Sequence, residues 1–475
     1  MLMKKKLISY ILSAASLLLA SAGFAYAESG WFVNDRSTEL PQFFDGVYAI
    51  GSGGAAPLSA DSVYALTANG LELLGSANPV GGGGLVYDGH AVKIASRTVS
   101  VGLKYYYSAS RDSSVASAEL KNSSGSGFAV GYLDENGEFI EVTSTEAAAL
   151  TVKASVGTSV WVCENGSDIP FYSADFTGRN SYLVVRPISD FPTEFSGYKY
   201  YGDFGFAVIG GGKLTVVNLV DIEQYVMGVC ACEMSESWPT ETLKAQAVAS
   251  RTYVQKMAGS SVYYYSCGFD VTADTYCQAY HGDSGVGKNI IAAVTDTENQ
   301  YLTYQDTLIN AMYSASDGGA TESNLNVYGS SGDAYLCGVI DPYEASAVNN
   351  PYGSWRVTMT PAELGAKVGI DAVKSITPTY SDTGNVIKLD FVSVSGKKAT
   401  VIRDSCRTVM GLKSIHYEIS NDDAGNFVFT GGGFGHNLGM SQWGAYAMAK
   451  YFEKDYQSIL GFYYTGVGLS YGELK

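Results

Sequence analysis

Residues 237–259 read SWPTETLKAQAVASRTYVQKMAG, and no other stretch constrains the fold as tightly. Pro239 lies where a first-turn proline is tolerated, Glu241 sits in the positive first turn, and Gly259 closes the end, so a helix is expected. Leu243, Ala247, Val254 and Ala258 form one face, which Ala245, Val248, Ala249 and Thr252 widen. So many small side chains imply that another backbone passes close by.

The hairpin before this helix turns on Gly210, Gly211 and Gly212, and Asp221 is placed to cap a short helix through LVDIEQYVMGV. Further upstream, β-branched and aromatic residues from TVSVGLKYYYSAS to NSYLVVRP mark short strands over roughly 99–200. Residues 28–98 are rich in glycine, alanine and serine and read as a linker with a few short strands or one helix. Near the end, SQWGAYAMAKYF and DYQSILGFYY read as two final helices. The expected fold class is α+β, a mixed core over 201–475 preceded by a β-rich region over 99–200.

The chain begins with Lys4, Lys5 and Lys6, an apolar run from Leu7 to Phe24, and the small residues of Ala25-Tyr26-Ala27. That is the pattern of a secretory signal over 1–27, or of a single N-terminal membrane anchor if it stays uncleaved. Without it the formal charge falls from −17 to −20, because three lysines go with it. Such acidity argues against a nucleic-acid partner, since nothing supplies a basic groove. Seven cysteines are too few for a disulfide-stapled scaffold, and their odd number leaves one unpaired within the chain; Cys267 and Cys277 are spaced to bridge.

Glu233, in GVCACEMSESWP, is the candidate acid. It follows a hydrophobic segment and precedes a proline-started helix, so it is expected in a short connection. Placed against Val229, Met234 and Trp238 it would resist ionising, as a general acid must. Glu236 and Glu241 nearby read as solvated surface.

From VNLVDIEQYVMGVCACEMSESWPTETLKAQAVASRTY onward the chain resembles the SpoIID/LytB family. The likeness continues through FDVTADTYCQAYHG, YSASDGGATES, VYGSSGDAYL, RTVMGLKSIHYEI and GGGFGHNLGMSQWGAYAMAKYFEKDYQSILGFYYTGVGL. The resemblance implies a secreted lytic transglycosylase acting on peptidoglycan strands stripped of their stem peptides, with Glu233 at the family's catalytic glutamate. Ser235 stands where the family usually has proline. It implies substrate contacts from Gln246, Arg251, Gln278, Tyr280, Ser316, His436 and Gln442. Some relatives carry zinc in the segment matching FDVTADTYCQAY. Of those ligand types only Cys277 is retained, so no metal is expected unless Cys267 and His281 are recruited.

Two other classes stay open: a non-catalytic wall-binding module or amidase enhancer, and a Cys-His peptidase using Cys230 or Cys232 with His436. The glycines at 431, 432, 433, 435 and 439 fail the G-x-G-x-x-G spacing of a dinucleotide turn. They are read instead as a tight turn that lets backbone approach closely, feeding a helix whose small residues pack on the helix after Pro239.

Overall fold

A computed structural model describes residues 85, 87–176 and 182–474, with backbone alone for 87–90 and for five short strands between 33 and 76. Residues 1–27, expected to form a signal, and much of 28–98 lie outside the described residues. By contacts the described chain divides into two units, one of residues 87–311 with 468–474 and one of 312–467. It mixes helices with several sheets, as an α+β chain should.

In the first unit a seven-stranded sheet is built around β1 (Thr98–Lys104), β2 (Asp203–Val208) and β3 (Leu214–Asp221). β2 and β3 pair antiparallel across the Gly210–Gly212 turn, where all three glycines have positive φ. β3 is buried at every position but its last, so both faces of the sheet are covered there. Leu183–Pro187 pairs with β2, so strands on either side of residue 200 share one sheet. Tyr87–Ile94 also joins this unit, running parallel to Gly468–Leu474.

From β3 the chain enters α1 (Ile222–Glu233), whose first free N–H groups are met by the Asp221 side chain accepting from the Glu223 N–H at 2.8 Å. Ile222, Tyr225, Val226, Val229 and Cys230 line its buried side. The next helix, α2 (Thr240–Met257), starts at Pro239 as its spacing predicts. It packs against α1, against α3 (Lys288–Asp296) and against strand β4 (Gln300–Tyr304). Ala245, Ala247, Val248 and Ala249 are all fully buried, which explains the run of small residues.

The second unit holds two three-stranded antiparallel sheets, one of Trp355–Met359, Phe427–Gly431 and Tyr417–Asn421, the other of Val373–Tyr380, Val386–Ser393 and Lys398–Ile402. Trp355, Leu364, Leu389, Phe391, Met410 and Phe429 fill its core. The two final helices are α4 (Gln442–Phe452), capped by Ser441, and α5 (Tyr456–Tyr463), capped by Asp455. α4 packs on α5 and on the turn Glu344–Ser346. Among the described residues no helix is long and apolar enough to cross a membrane.

Candidate active site

Glu233 is the last residue of α1, not part of the connection that follows. The helix runs one turn further than its sequence pattern suggests because Cys230 and Met234 are both buried and the Met234 N–H still donates to the Cys230 carbonyl at 2.9 Å. At this carbonyl end α1 has no free N–H to offer its own carboxylate. A donor comes from another segment: the Ala279 N–H reaches Glu233 Oε1 at 3.1 Å, and the side chain remains partly exposed.

The segment carrying Ala279 is a closed loop. The Tyr280 N–H donates to the Ala273 carbonyl at 3.1 Å, and Asp274 Oδ1 accepts from the Thr272 hydroxyl and the Tyr276 N–H. Asp274 Oδ2 accepts from the Tyr105 hydroxyl at 2.7 Å. The Arg111 guanidinium lies 3.4 Å from the centroid of the exposed Tyr276 ring. Gly228 on α1 lets this loop close in: a Cβ there would fall 2.4 Å from the Gly282 carbonyl oxygen and 2.6 Å from the Tyr280 ring. Beside it the His281 ring stacks on the exposed Tyr198 at 4.3 Å.

The residues expected around the acid hold the scaffold through internal contacts. Arg251 is wholly buried, and its guanidinium donates to both carboxylate oxygens of Glu223 at 2.6–3.1 Å, with the Val294 and Gln300 carbonyls also in reach. It ties α2 to the start of α1, one helix length from Glu233. Gln246 is fully buried and donates to the Ser250 hydroxyl. Gln278 accepts from the Tyr225 hydroxyl at 3.1 Å, and the Tyr280 hydroxyl donates to Asn218 at 2.9 Å; both residues are buried. By residue type Tyr280 suits a sugar contact, but its ring packs against Tyr225 and Tyr200.

Glu236 is not a solvated surface acid. Its carboxylate accepts from the Asn289 N–H at 2.8 Å and the Ile290 N–H at 3.2 Å, capping α3, where Gly287 leaves space for it. Glu241 does face the surface and pairs with Lys244 at 3.5 Å. No disulfide joins Cys267 and Cys277; the Cys267 thiol donates to the Tyr106 carbonyl. Burial pushes the Cys230 thiol up to about 12 and raises Cys232 as well, the direction that disfavours the thiolate a cysteine peptidase needs.

The other expected residues lie in the second unit. Ser316 is fully buried, its hydroxyl donating to Glu344 Oε1 and accepting from Asn350. Gln442, the first residue of α4, is buried. His436 is partly exposed, its Nδ1 accepts from the Leu438 N–H at 3.0 Å, and burial lowers it to about 4. The glycine stretch does bring backbones together: a Cβ on Gly318 would lie 2.4 Å from the Gly432 carbonyl carbon, and Asn437 donates to the Asp317 and Ala320 carbonyls. The partner of the stretch is thus the SDGG segment within the same unit. The small Gly444 on α4 is likewise needed inside this unit, since a Cβ would fall 1.9 Å from the Tyr463 hydroxyl.

Asp317, Asp341 and Glu344 escape a reading of the sequence. They are buried together, one carboxylate oxygen of each lying within 4.8 Å of the others, and among the described residues they form the one such group able to share an ion. Burial pushes the Asp341 carboxyl up to about 6 and the Asp317 carboxyl well above the usual range, with neighbouring acids adding to both. Their signal in the sequence is weak: Asp317 lies in SDGG and the other two in IDPYEA, with no shared spacing.

The sequence profile described as SpoIID, stage II sporulation protein, matches residues 210–304, which span β3, α1, α2, α3 and Glu233. An uncharacterised protein of Brachyspira hyodysenteriae is 34% identical over 293 residues, covering 58% of this chain and 73% of that one. The stage II sporulation protein D of Bacillus subtilis is 30% identical over 269 residues, covering 54% and 76%. The amidase enhancer of Bacillus subtilis is 30% identical over 300 residues, covering 51% of this chain and 40% of its own length.

Proposed function

The chain belongs to the SpoIID family of stage II sporulation proteins, and on that premise we propose that it works on the cell wall as a peptidoglycan lytic transglycosylase with Glu233 as acid and base. The observation that carries this reading is the placement of Glu233: a partly exposed carboxylate held by the Ala279 N–H at the exit of a rigidly packed helix. Its neighbours in sequence are engaged elsewhere, Glu236 as a helix cap and Glu241 with Lys244.

One carboxyl group suffices for this chemistry. Protonated Glu233 gives its proton to the glycosidic oxygen between N-acetylmuramic acid and N-acetylglucosamine as the C1–O bond breaks. The anomeric carbon takes on oxocarbenium character. The muramic C6 hydroxyl then attacks C1, the Glu233 carboxylate takes the hydroxyl proton, and a 1,6-anhydro ring closes with the acid restored. An ordinary glycosidase needs a second carboxylate for water or for a covalent intermediate. Here the nucleophile belongs to the substrate. Arg251, Tyr280, Gln278 and Gln246 serve as positioning residues that hold α1, α2 and the Ala279 loop in register, while exposed Tyr276 and the Tyr198–His281 pair offer flat faces on which a sugar ring can rest.

A second reading follows the name of one relative, the amidase enhancer: the chain binds wall and assists an amidase without cleaving glycan. The substrate would be the same peptide-free glycan, encountered outside the cytoplasm if residues 1–27 act as a signal. Purified protein incubated with peptide-free glycan strands should yield anhydro-ended fragments by mass spectrometry. Glu233→Gln should lower that yield by about 100-fold or more, the usual worth of a general acid. An unchanged yield from Glu233→Gln, or fragments with hydrated reducing ends, would overturn the assignment.

A further inference from the structure

Three carboxylates inside residues 312–467 are compensated by neutral donors alone. Glu344 Oε1 accepts from the Ser316 hydroxyl, the Gly318 N–H and the Asn350 amide, and its Oε2 from the Asp317 N–H and the Ser441 hydroxyl. Asp341 accepts from the Tyr343 and Glu344 N–H groups and from the Tyr463 hydroxyl at 2.6 Å. Asp317 Oδ1 accepts from the Gly319 N–H at 2.8 Å. Asp317 Oδ2 is different: the residue is wholly buried, and this oxygen has no hydrogen-bond partner. Among the described residues no lysine, arginine or histidine makes an ion pair with any of the three.

Buried charge of one sign with no counter-charge is not a stable arrangement; it is relieved by a proton or by a cation. We propose that Asp317, Asp341 and Glu344 bind a hard divalent cation of the calcium type, with the free Asp317 oxygen as the ligand atom aimed at it. The donor set is oxygen only, which suits calcium or magnesium and not zinc. The oxygens all lie within 4.8 Å of one another, a span that admits either ion, and calcium is favoured because it accepts irregular coordination where magnesium demands near-ideal octahedral geometry.

The ion would do mechanical work. It joins the SDGG turn to the turn Glu344–Ser346, through Ser441 to the start of α4, 97 residues from Glu344, and through Tyr463 to the end of α5, 122 residues from Asp341. Gly444 keeps room at the same place, since a Cβ there would lie 2.3 Å from Asp341 Oδ2. The Ser316 hydroxyl, donating to Glu344 Oε1, orients that carboxylate. None of this depends on whether Glu233 cleaves glycan.

Full-length protein freed of metal with EDTA tests the proposal. Calcium titrated by calorimetry should bind at one saturable site, raise the midpoint of thermal unfolding more than magnesium does, and displace terbium whose emission is sensitised by nearby tyrosine. Asp317→Asn should lose all three responses, while Asp422→Asn at an exposed turn keeps them. The calorimetric titration of wild-type protein stands even if Asp317→Asn does not fold. No saturable calcium binding to wild type overturns the proposal, as does a calcium response that survives Asp317→Asn; either result leaves a proton on Asp317 as what relieves the cluster.

Discussion

Two buried polar clusters, one in each unit, solve the same electrostatic problem in different ways. In the first unit Glu223 is met by the guanidinium of Arg251, a salt-linked pair in which the Gln300 and Val294 carbonyls also accept from the guanidinium. In the second, Asp317, Asp341 and Glu344 meet hydroxyls, an amide and backbone N–H groups, all neutral. A buried acid with its own internal cation is framework. A set of acids without one has charge left over for a ligand or a proton. Glu233 differs from both clusters, because its carboxylate stays partly exposed at the end of its helix.

Removing the cation from the first cluster should have the largest effect. Arg251→Ala leaves Glu223 buried and uncompensated and should cost about 3–5 kcal/mol in urea unfolding. Arg251→Met paired with Glu223→Leu should recover most of that loss, and a double variant no more stable than Arg251→Ala would mean the pair acts through geometry, not charge. Next comes Glu233→Gln, which should leave the unfolding midpoint within about 0.5 kcal/mol of wild type while removing activity, as a group outside the framework should. A large stability loss there would place Glu233 with Arg251 and Glu223.

Asp221→Ala tests the frame that aims Glu233. Loss of this cap should destabilise by about 1 kcal/mol. Because α1 carries Glu233 at its far end, turnover should fall more than substrate affinity does.

The smallest effect is on pH. Burial lowers His416 to about 4 in the folded protein, against an ordinary value of about 6.5. The unfolded chain therefore takes up this proton first, so the contribution is complete above about pH 6.5 and is lost as pH falls from there toward 4. Asp341 has the opposite sign: its carboxyl, raised to about 6, holds a proton in the folded state that the unfolded chain releases, so without calcium its share of stability grows as pH falls through 6. His416→Gln should therefore flatten the acid-side loss of the unfolding midpoint measured in EDTA. An identical profile for the two proteins would show that His416 keeps its ordinary titration.

Much of the architecture is legible in short stretches. The helix after Pro239, the turn at Gly210–Gly212, the cap at Asp221 and the last two helices all form where their residues indicate. The position of Glu233 is recognisable from its motif, though the last turn of α1 is not, because the pull of buried Met234 does not show in local pattern. The roles of the surrounding polar residues are not legible either. Arg251 finds Glu223 across 28 residues, Tyr280 finds Asn218 across 62, and Tyr463 finds Asp341 across 122.

By itself the sequence determined many of the segments that become helix or strand, the acidic balance that argues against nucleic acid, and the family to which its motifs point. Those properties depend on residues within about a turn of each other, or on composition. Only the tertiary structure decided which polar groups are paired with charge, which with neutral donors, and which is left open. Pairing is a matter of distance in space between segments far apart in the chain, and the energy of a buried charge depends on what encloses it. Hence Arg251, which has the chemistry of a substrate contact, is tied to Glu223 inside the scaffold, and Asp317, on which the sequence offers no reading of its own, carries the oxygen without a partner.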